Sequence, residues 1–200
     1  MTIGEASPLM TSRRPPLALI LLALVAALFL YHHRYGVIAR VRAVLNVRPT
    51  SKALLVAGQP LPVVTLTNLA GETQKIAPRP GRVLYVNVFA TWCPDCQEET
   101  PALEQLAKST AQMPVDIVGI SQQEDIDPVS EFAQRYGLTY PIFLDQQGVS
   151  HGLMDVRYIP TSFIVDSHGI VRARMTGALT LDQMKNAVTA VLQGHTLASN

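Results

Sequence analysis

The chain lacks the residues that build disulfide frameworks and metal sites. Its 200 residues include only two cysteines, Cys93 and Cys96, and five scattered histidines. A structural zinc site needs about four ligands, and no second cysteine pair or spaced histidine pair is present to complete one. Charged residues make up only 16%, the formal net charge is +1, and there is no long basic block. The sequence therefore predicts no metal, no cofactor and no nucleic-acid partner.

The two cysteines stand three positions apart in the motif WCPDC (92–96). The motif directly follows the apolar stretch RVLYVNVFA (82–90), which predicts a buried β-strand. Two thiols at a strand-to-helix turn can close a small disulfide ring that opens easily, so the spacing favours redox exchange. A stapling disulfide usually closes a longer loop. The alternatives are two buried structural thiols or half of a metal site.

A long uncharged stretch precedes this motif. No residue between Arg14 and Arg34 carries a formal charge, and residues 17–31 are apolar up to the terminal tyrosine. Residues 15–33 would span about 28 Å as a helix, close to the ~30 Å of a bilayer core. This predicts a transmembrane anchor over 15–35. A cleaved secretory signal is the alternative, although no small-residue cleavage site follows the apolar core.

The anchor divides the chain. We predict an N-terminal tail over 1–14, a juxtamembrane helix and linker over 36–56, and one folded domain over 57–195. More arginines follow the anchor than precede it, and this count alone would place the domain in the cytoplasm. Long domains translocate with little regard to their charge, so the opposite orientation is also compatible with the sequence.

Alternating apolar segments after residue 57 predict an α/β fold. The predicted strands cover 63–67, 73–76, 82–90, 115–121, 142–144, 161–166 and 170–176. The predicted helices cover 94–111, 128–136 and 181–192, with a kink in the first at Pro101. Strands alternating with helices, then a hairpin and a last helix, give an α/β sandwich with a mixed sheet. This is the order of a thioredoxin fold.

The residues also carry a family resemblance. The run VNVFATWCPDCQEETP (86–101) resembles the strand, WCxxC and ExP signature of membrane-anchored thioredoxin-like oxidoreductases of the ResA, TlpA and CcmG type. The run Ile159-Pro160-Thr161 resembles their cis-proline loop, and YPIFLD (140–145) resembles the end of their helix-strand insertion. The resemblance implies a thioredoxin fold with a mixed central sheet, an N-terminal β-hairpin extension and that insertion, preceded by one transmembrane helix.

Each thiol has an expected role. Cys93 should lie at the N-terminus of a helix, where free amides and the helix dipole stabilise a thiolate, so we expect it to attack the partner disulfide. Cys96, one turn further and more buried, would resolve the mixed disulfide by forming the Cys93–Cys96 bond. Asp95 between them should raise the thiol pKa values, which favours a reductant over a strong oxidant.

A proton carrier is expected beside the thiols. Ordinary thioredoxins carry a buried acid six residues before the first cysteine, and Asn87, which cannot take a proton, stands there. The resemblance places Glu99 in the ExP position, where it could exchange a proton with Cys96 through water. The alternative is a solvated glutamate on the helix face.

The resemblance also implies a substrate-binding surface. It would include Trp92, Pro94, Ile159 and a cis Pro160, whose loop binds an extended partner strand beside the dithiol. Trp92 would shield the site, or alternatively be an aromatic at the edge of the core. The two residues before this loop, 157–158, either shape partner choice or are plain surface residues.

Together these features predict a membrane-tethered thiol-disulfide oxidoreductase that reduces protein disulfides. The resemblance implies a single-pass protein of the cytoplasmic (inner) membrane with its catalytic domain on the periplasmic side. The implied partners are disulfide-bearing exported proteins, such as apocytochrome c during cytochrome c maturation, and a membrane thiol-electron donor.

Three other functions fit the residues less well. A Sco-type copper delivery protein has an additional residue before its second cysteine and a ligand histidine near position 160, and both are missing here. A peroxiredoxin-like peroxidase uses a solitary peroxidatic cysteine, which a CxxC pair does not fit. A non-enzymatic binding domain would have no use for an intact WCxxC motif and proline loop.

Overall fold

The computed structural model describes residues 21–27 and 57–197, as two separate segments. Residues 21–27 are helical with exposed side chains. Residues 57–197 form one mixed sheet with helices. The tail predicted over 1–14 and the linker predicted over 36–56 lie outside the described residues, and the predicted domain boundaries stay a prediction.

The anchor predicted over 15–35 is described only at 21–27. Seven helical residues rise about 10 Å, a third of the ~30 Å that a membrane span needs. Within residues 21–27 and 57–197 no helix is both long and apolar enough to cross a membrane. This finding contradicts the predicted localisation, a single-pass inner-membrane protein with a periplasmic catalytic domain, which is withdrawn. The transmembrane helix in the predicted fold class is likewise not supported.

Seven strands form the sheet in the spatial order β2-β1-β5-β4-β3-β6-β7. In chain order they are β1 (Val64–Asn68), β2 (Thr73–Ile76), β3 (Val83–Phe89), β4 (Val115–Gln122), β5 (Ile142–Asp145), β6 (Thr161–Val165) and β7 (Val171–Thr176). The central strands β3, β4 and β5 pair in parallel, and the other pairs are antiparallel. The predicted mixed sheet and N-terminal β-hairpin are confirmed.

Four helices accompany the strands of residues 57–197: α1 (Pro94–Thr110), α2 (Ile126–Tyr136), α3 (Val149–Leu153) and α4 (Leu181–Leu192). The unit α2–β5 is the predicted helix-strand insertion. α1 continues through Pro101 to Thr110 as one helix. α3 was not predicted, because five residues that include Gly152 carry no periodic apolar pattern.

The sheet separates two apolar clusters. One lies on the face that α1, α2 and α4 cover and includes both cysteines. The other lies on the opposite face and is built around Val86, Val88 and Phe163. Because successive side chains of a strand point to opposite faces, β3 must be apolar throughout to fill both clusters. Every residue of β3 is buried, Asn87 among them.

Both ends of the domain meet the same edge of the sheet. The amide of Gly58 donates to the carbonyl of Val171 at 2.7 Å, and Pro60 forms a β-bridge with Ile170. At the other end, the amide of Leu197 donates to the carbonyl of Arg172 at 2.8 Å. The edge of β7 that faces away from β6 is therefore covered by the segments around Gly58 and Leu197.

Candidate active site

The turn after β3 presents the first cysteine at the start of α1. Cys93 is the N-cap residue of that helix, with extended backbone angles and Pro94 directly after it. Its amide donates to the carbonyl of Ala90 at 3.2 Å, and its own carbonyl accepts from the amide of Gln97 at 3.1 Å. Proline is well suited to the first helical position, because it has no amide hydrogen to leave unbonded. The predicted position of Cys93 at a helix N-terminus is thus observed.

The two cysteines are free thiols in different surroundings. Cys93 is 6% exposed and Cys96 is 2% exposed, so the second thiol is the more buried one, as predicted. Burial raises the pKa of Cys96 strongly, and its hydrogen bond with Cys93 and the nearby charge of Glu99 raise it further. Asp95, which was expected to act in this way, is exposed and is not among the causes of that rise.

The loop before β6 faces the first thiol. The Ile159–Pro160 peptide bond is cis, as the resemblance implied. Cys93 Sγ donates a hydrogen bond to the carbonyl oxygen of Ile159 at 3.6 Å. The loop is held from within, because the Thr161 hydroxyl donates to the carbonyl of Tyr158 at 2.6 Å. The structure therefore brings together the motif and the proline loop that the sequence placed 66 residues apart.

Glu99 lies on the buried side of α1, one turn beyond Cys96. It is 3% exposed, so the alternative of a solvated surface glutamate is wrong. Burial raises the pKa of Glu99 to about 8, and the backbone amide of Leu179 offsets part of the rise. Its Oε2 atom has no hydrogen-bond partner among the described residues. A carboxyl group with this pKa can both hold and release a proton near neutral pH.

Asn87 connects Glu99 to the sheet. Its side-chain nitrogen donates to Glu99 Oε1 at 3.3 Å and to the hydroxyl of Ser162 at 3.1 Å. Ser162 also accepts from the Tyr85 hydroxyl at 3.0 Å. Sequence reasoning missed Ser162 and Tyr85. Ser162 on β6 is paired with Asn87 on β3, and Tyr85 lies two residues before Asn87 on the same strand, so the strand pairing brings the three together.

The remaining predicted substrate-binding residues surround the thiol at the surface. Trp92 is 68% exposed, so it is not part of the core. Pro94 is also exposed, Ile159 is half-buried and Pro160 is buried. Tyr158 is largely exposed beside them. The aromatic side chains of Trp92 and Tyr158 are thus accessible to a partner.

Two arginine side chains hold the segment that precedes the proline loop. The guanidinium of Arg157 donates to Asp155 Oδ1 at 3.0 Å, and that of Arg174 donates to the carbonyl of Asp155 at 3.0 Å. Asp155 has a positive φ of 50°, a conformation that few residues other than glycine adopt. Arg157 therefore has a structural contact in addition to any role in partner choice.

Known proteins place this site in a family. The Redoxin family model matches residues 56–192. The thiol-disulfide oxidoreductase ResA of Geobacillus kaustophilus is 29% identical over 142 residues, covering 71% of this chain and 82% of that protein. The thioredoxin-like protein YneN of Bacillus subtilis is 33% identical over 130 residues, covering 64% and 76%.

A solved structure agrees with these relatives. The crystal structure of StoA from Bacillus subtilis matches with a TM-score of 0.57 and 26% identity, covering 65% of this chain and 98% of that one. Residues 21–27 and 57–197 contain no group of three or more His, Cys, Asp or Glu side chains that could hold a metal ion. The chain belongs to the Redoxin family, as a thioredoxin-like thiol-disulfide oxidoreductase of the ResA and CcmG type.

Proposed function

We propose that the protein reduces disulfides of client proteins through Cys93 and Cys96, with Cys93 as the attacking thiol. The observation that carries this proposal is the difference between the two thiols. Cys93 lies at a helix N-terminus, where the helix dipole favours a negative charge, whereas Cys96 is buried with a raised pKa. Thiolate is the reactive form, so attack begins at Cys93 and Cys96 follows.

The reaction has two exchange steps. The Cys93 thiolate attacks one sulfur of the client disulfide, a mixed disulfide forms, and the other client sulfur leaves as a thiolate. Cys96 then loses its proton and attacks Cys93 Sγ, which forms the Cys93–Cys96 disulfide and releases the second client thiolate. Two electrons pass from the protein to the client. Both client sulfurs end as thiols after taking up protons.

Glu99 is proposed as the acceptor of the Cys96 proton. With a pKa of about 8, Glu99 is partly ionised near neutral pH. Its charge is one of the causes that raise the pKa of Cys96. Because its Oε2 atom has no partner among the described residues, that atom is available to hold the proton. A base whose pKa is close to the working pH is the most effective one.

The proposed client-binding surface consists of Trp92, Pro94, Ile159 and Pro160. The exposed Trp92 ring and the backbone of the cis-proline loop flank the thiol, so an extended client segment can lie along the loop. The proposed client class is a protein with closely spaced cysteines, such as apocytochrome c during cytochrome c maturation. A protein dithiol would return the electrons. The resemblance of residues 86–101 and 159–161 supports this finer assignment.

Single-cysteine variants test the proposal. Reduced Cys96→Ser should accumulate a mixed disulfide with an oxidised apocytochrome c peptide, because the resolving thiol is gone. Cys93→Ser is the matched control and should trap almost none. Mass spectrometry of the non-reduced adducts measures both. Equal trapping by the two variants would reject the assignment of roles, and failure of wild type to reduce the peptide would reject this client class.

A further inference from the structure

A second buried glutamate lies beside the active-site turn. Glu124 lies two residues after the end of β4 and is 8% exposed. Its Oε2 atom accepts hydrogen bonds from the amide of Thr91 at 2.9 Å and from the hydroxyl of Ser121 at 2.6 Å. Its Oε1 atom accepts a further bond from the Thr91 hydroxyl. One carboxylate thus joins the end of β4 to the residue that stands two positions before Cys93.

Thr91 is held on its other side as well. Its carbonyl oxygen accepts a hydrogen bond from Gln97 Nε2 at 2.7 Å. The amide, hydroxyl and carbonyl of Thr91 are therefore all bonded, two of them to Glu124 and one to α1. The next residue, Trp92, has a mostly exposed side chain that does not anchor the turn by packing. These three hydrogen bonds to Thr91 and the bond from the Cys93 amide to the Ala90 carbonyl hold this turn.

We propose that Glu124 is a positioning residue for the dithiol reaction. By holding Thr91 it keeps the turn 91–92, and hence the Cys93 sulfur, in place against the carbonyl of Ile159. The proposal rests on the proposed role of Cys93 as the attacking thiol. Displacing a reacting group by about 1 Å can lower a rate about 100-fold. Release of the turn should therefore slow the reaction without removing either thiol.

A conservative substitution distinguishes the effect of the hydrogen bonds between Glu124 and Thr91 from the effect of the Glu124 charge. In Glu124→Gln the amide oxygen can accept from the Thr91 amide, and the amide nitrogen can donate to the Thr91 hydroxyl oxygen, which is also an acceptor. This variant keeps both bonds to Thr91 and loses the negative charge. Glu124→Ala loses both.

The chain contains a matched control. Glu104 on α1 is 4% exposed and accepts from the amide and the hydroxyl of Thr139, each at 2.9 Å. The arrangement repeats that of Glu124 and Thr91. Thr139 precedes β5, whereas Cys93 and Glu124 follow the carboxyl ends of β3 and β4. Glu104→Ala therefore removes a similar buried tether at a place away from the thiols.

The experiment compares these variants in the intact reduced protein. Reduction of insulin disulfides gives kcat/KM, iodoacetamide gives the alkylation rate of Cys93, and urea gives the free energy of unfolding. Glu124→Ala should lower kcat/KM about 10- to 100-fold and change the alkylation rate, whereas Glu124→Gln should stay within about threefold of wild type. Glu104→Ala should lower the unfolding free energy yet keep kcat/KM within about threefold.

Three results would overturn the proposal. Glu124→Ala could match Glu104→Ala in kcat/KM, Glu124→Gln could fall as far as Glu124→Ala, or the rates could simply follow the unfolding free energies. If Glu124→Ala does not fold, Thr91→Val takes its place, because it removes only the hydroxyl bond to Glu124. Thr91→Val should lower kcat/KM, whereas Glu104→Ala should stay near wild type. An unchanged kcat/KM in Thr91→Val would reject the proposed role of Glu124. Full activity of Cys93→Ser would instead reject the proposed function.

Discussion

The thiol of Cys93 donates its hydrogen to the carbonyl oxygen of Ile159, with sulfur and oxygen 3.6 Å apart. A thiolate has no hydrogen to donate, so loss of the proton converts this attraction into repulsion between a negative sulfur and the negative end of a carbonyl dipole. The thiolate form of Cys93 is therefore less firmly held to the proline loop than the thiol form. In the proposed reaction, a client sulfur would enter where this contact has weakened.

The two thiols should differ in their reaction with iodoacetamide. At pH ~8, the reduced Cys96→Ser protein should be alkylated at Cys93 at least about tenfold faster than the reduced Cys93→Ser protein at Cys96. Burial raises the pKa of Cys96, and each unit of pKa above the pH lowers the thiolate fraction about tenfold. Stopped-flow or quenched mass spectrometry measures both rates. Similar rates would show that burial does not suppress Cys96.

Glu99 should make the stability of the protein fall as pH rises. Its folded pKa of about 8 lies above the ordinary value of 4.5, so the folded state holds this proton more tightly than the unfolded state. The resulting stability is fully present below pH ~4.5 and is lost as pH rises through ~8, by on the order of 5 kcal/mol. Glu99→Gln should remove this part of the pH dependence.

Urea unfolding of the reduced proteins at pH ~5 and pH ~8 checks this effect. The free energy of unfolding of Glu99→Gln relative to wild type should rise between the two pH values. Glu98→Gln, which changes the exposed neighbour on the same helix, is the matched control and should follow wild type. If the difference between wild type and Glu99→Gln is the same at both pH values, Glu99 is not titrating with a raised pKa.

Glu99→Gln should also slow turnover. Proton transfer by a positioned side chain contributes about 10² to 10⁴-fold, and water can replace part of it, so a loss of about 10- to 100-fold in kcat is expected. The rise in wild-type kcat near pH 8 should disappear, because the amide cannot ionise. The pH profile of insulin reduction measures this, again with Glu98→Gln as control. An unchanged profile would leave Glu99 without a role in proton transfer.

A side chain at Gly119 on β4 should destabilise the fold. A Cβ atom there would lie 3.1 Å from a ring carbon of Phe89 and 3.3 Å from one of Tyr140. Both rings are buried, so they can move only by disturbing the core, and such overpacking typically costs about 1–3 kcal/mol. Gly119→Ala should lower the urea midpoint of unfolding accordingly. A change below about 0.5 kcal/mol would mean that both rings shift freely.

Two arginines that share one aspartate should differ in importance. Arg82 donates to Asp116 at 2.9 Å and also to the carbonyls of Met113 and Val115. Among residues 57–197, the exposed guanidinium of Arg79 binds the same carboxylate and no other side chain. Arg82→Ala should lower the free energy of unfolding by about 1–3 kcal/mol, and Arg79→Ala should lower it less. Urea unfolding at neutral pH compares them, and equal losses would contradict this order.

Most of the fold was predictable from patterns within single segments. The apolar run that became β3 and the closing helix α4 are local features, and their predicted bounds, 82–90 and 181–192, agree with the structure within a residue. α2 begins at Ile126, two residues before its predicted start at Pro128, with Asp125 at the N-cap position. Proline favours the first turn of a helix but does not mark one particular position within it.

The candidate site was predictable only in part. Cys93, Cys96 and Glu99 belong to one helix, so spacing related them to one another. Glu124 could not be linked to Thr91 in this way, since a bond between residues 33 positions apart depends on the parallel pairing of β3 and β4. The burial of Glu99 likewise follows from the packing of α1 and not from its spacing.

The two ends of the folded domain lie side by side. Gly58 is bonded to Val171 and Leu197 to the adjacent residue, Arg172, so the first and last parts of residues 57–197 are neighbours on one strand. A domain with this arrangement suits circular permutation, because a short linker can join its old ends and new ends can open at an exposed turn such as that at Gly81. A permuted domain would keep its dithiol while its point of attachment to the rest of the chain moved to another side.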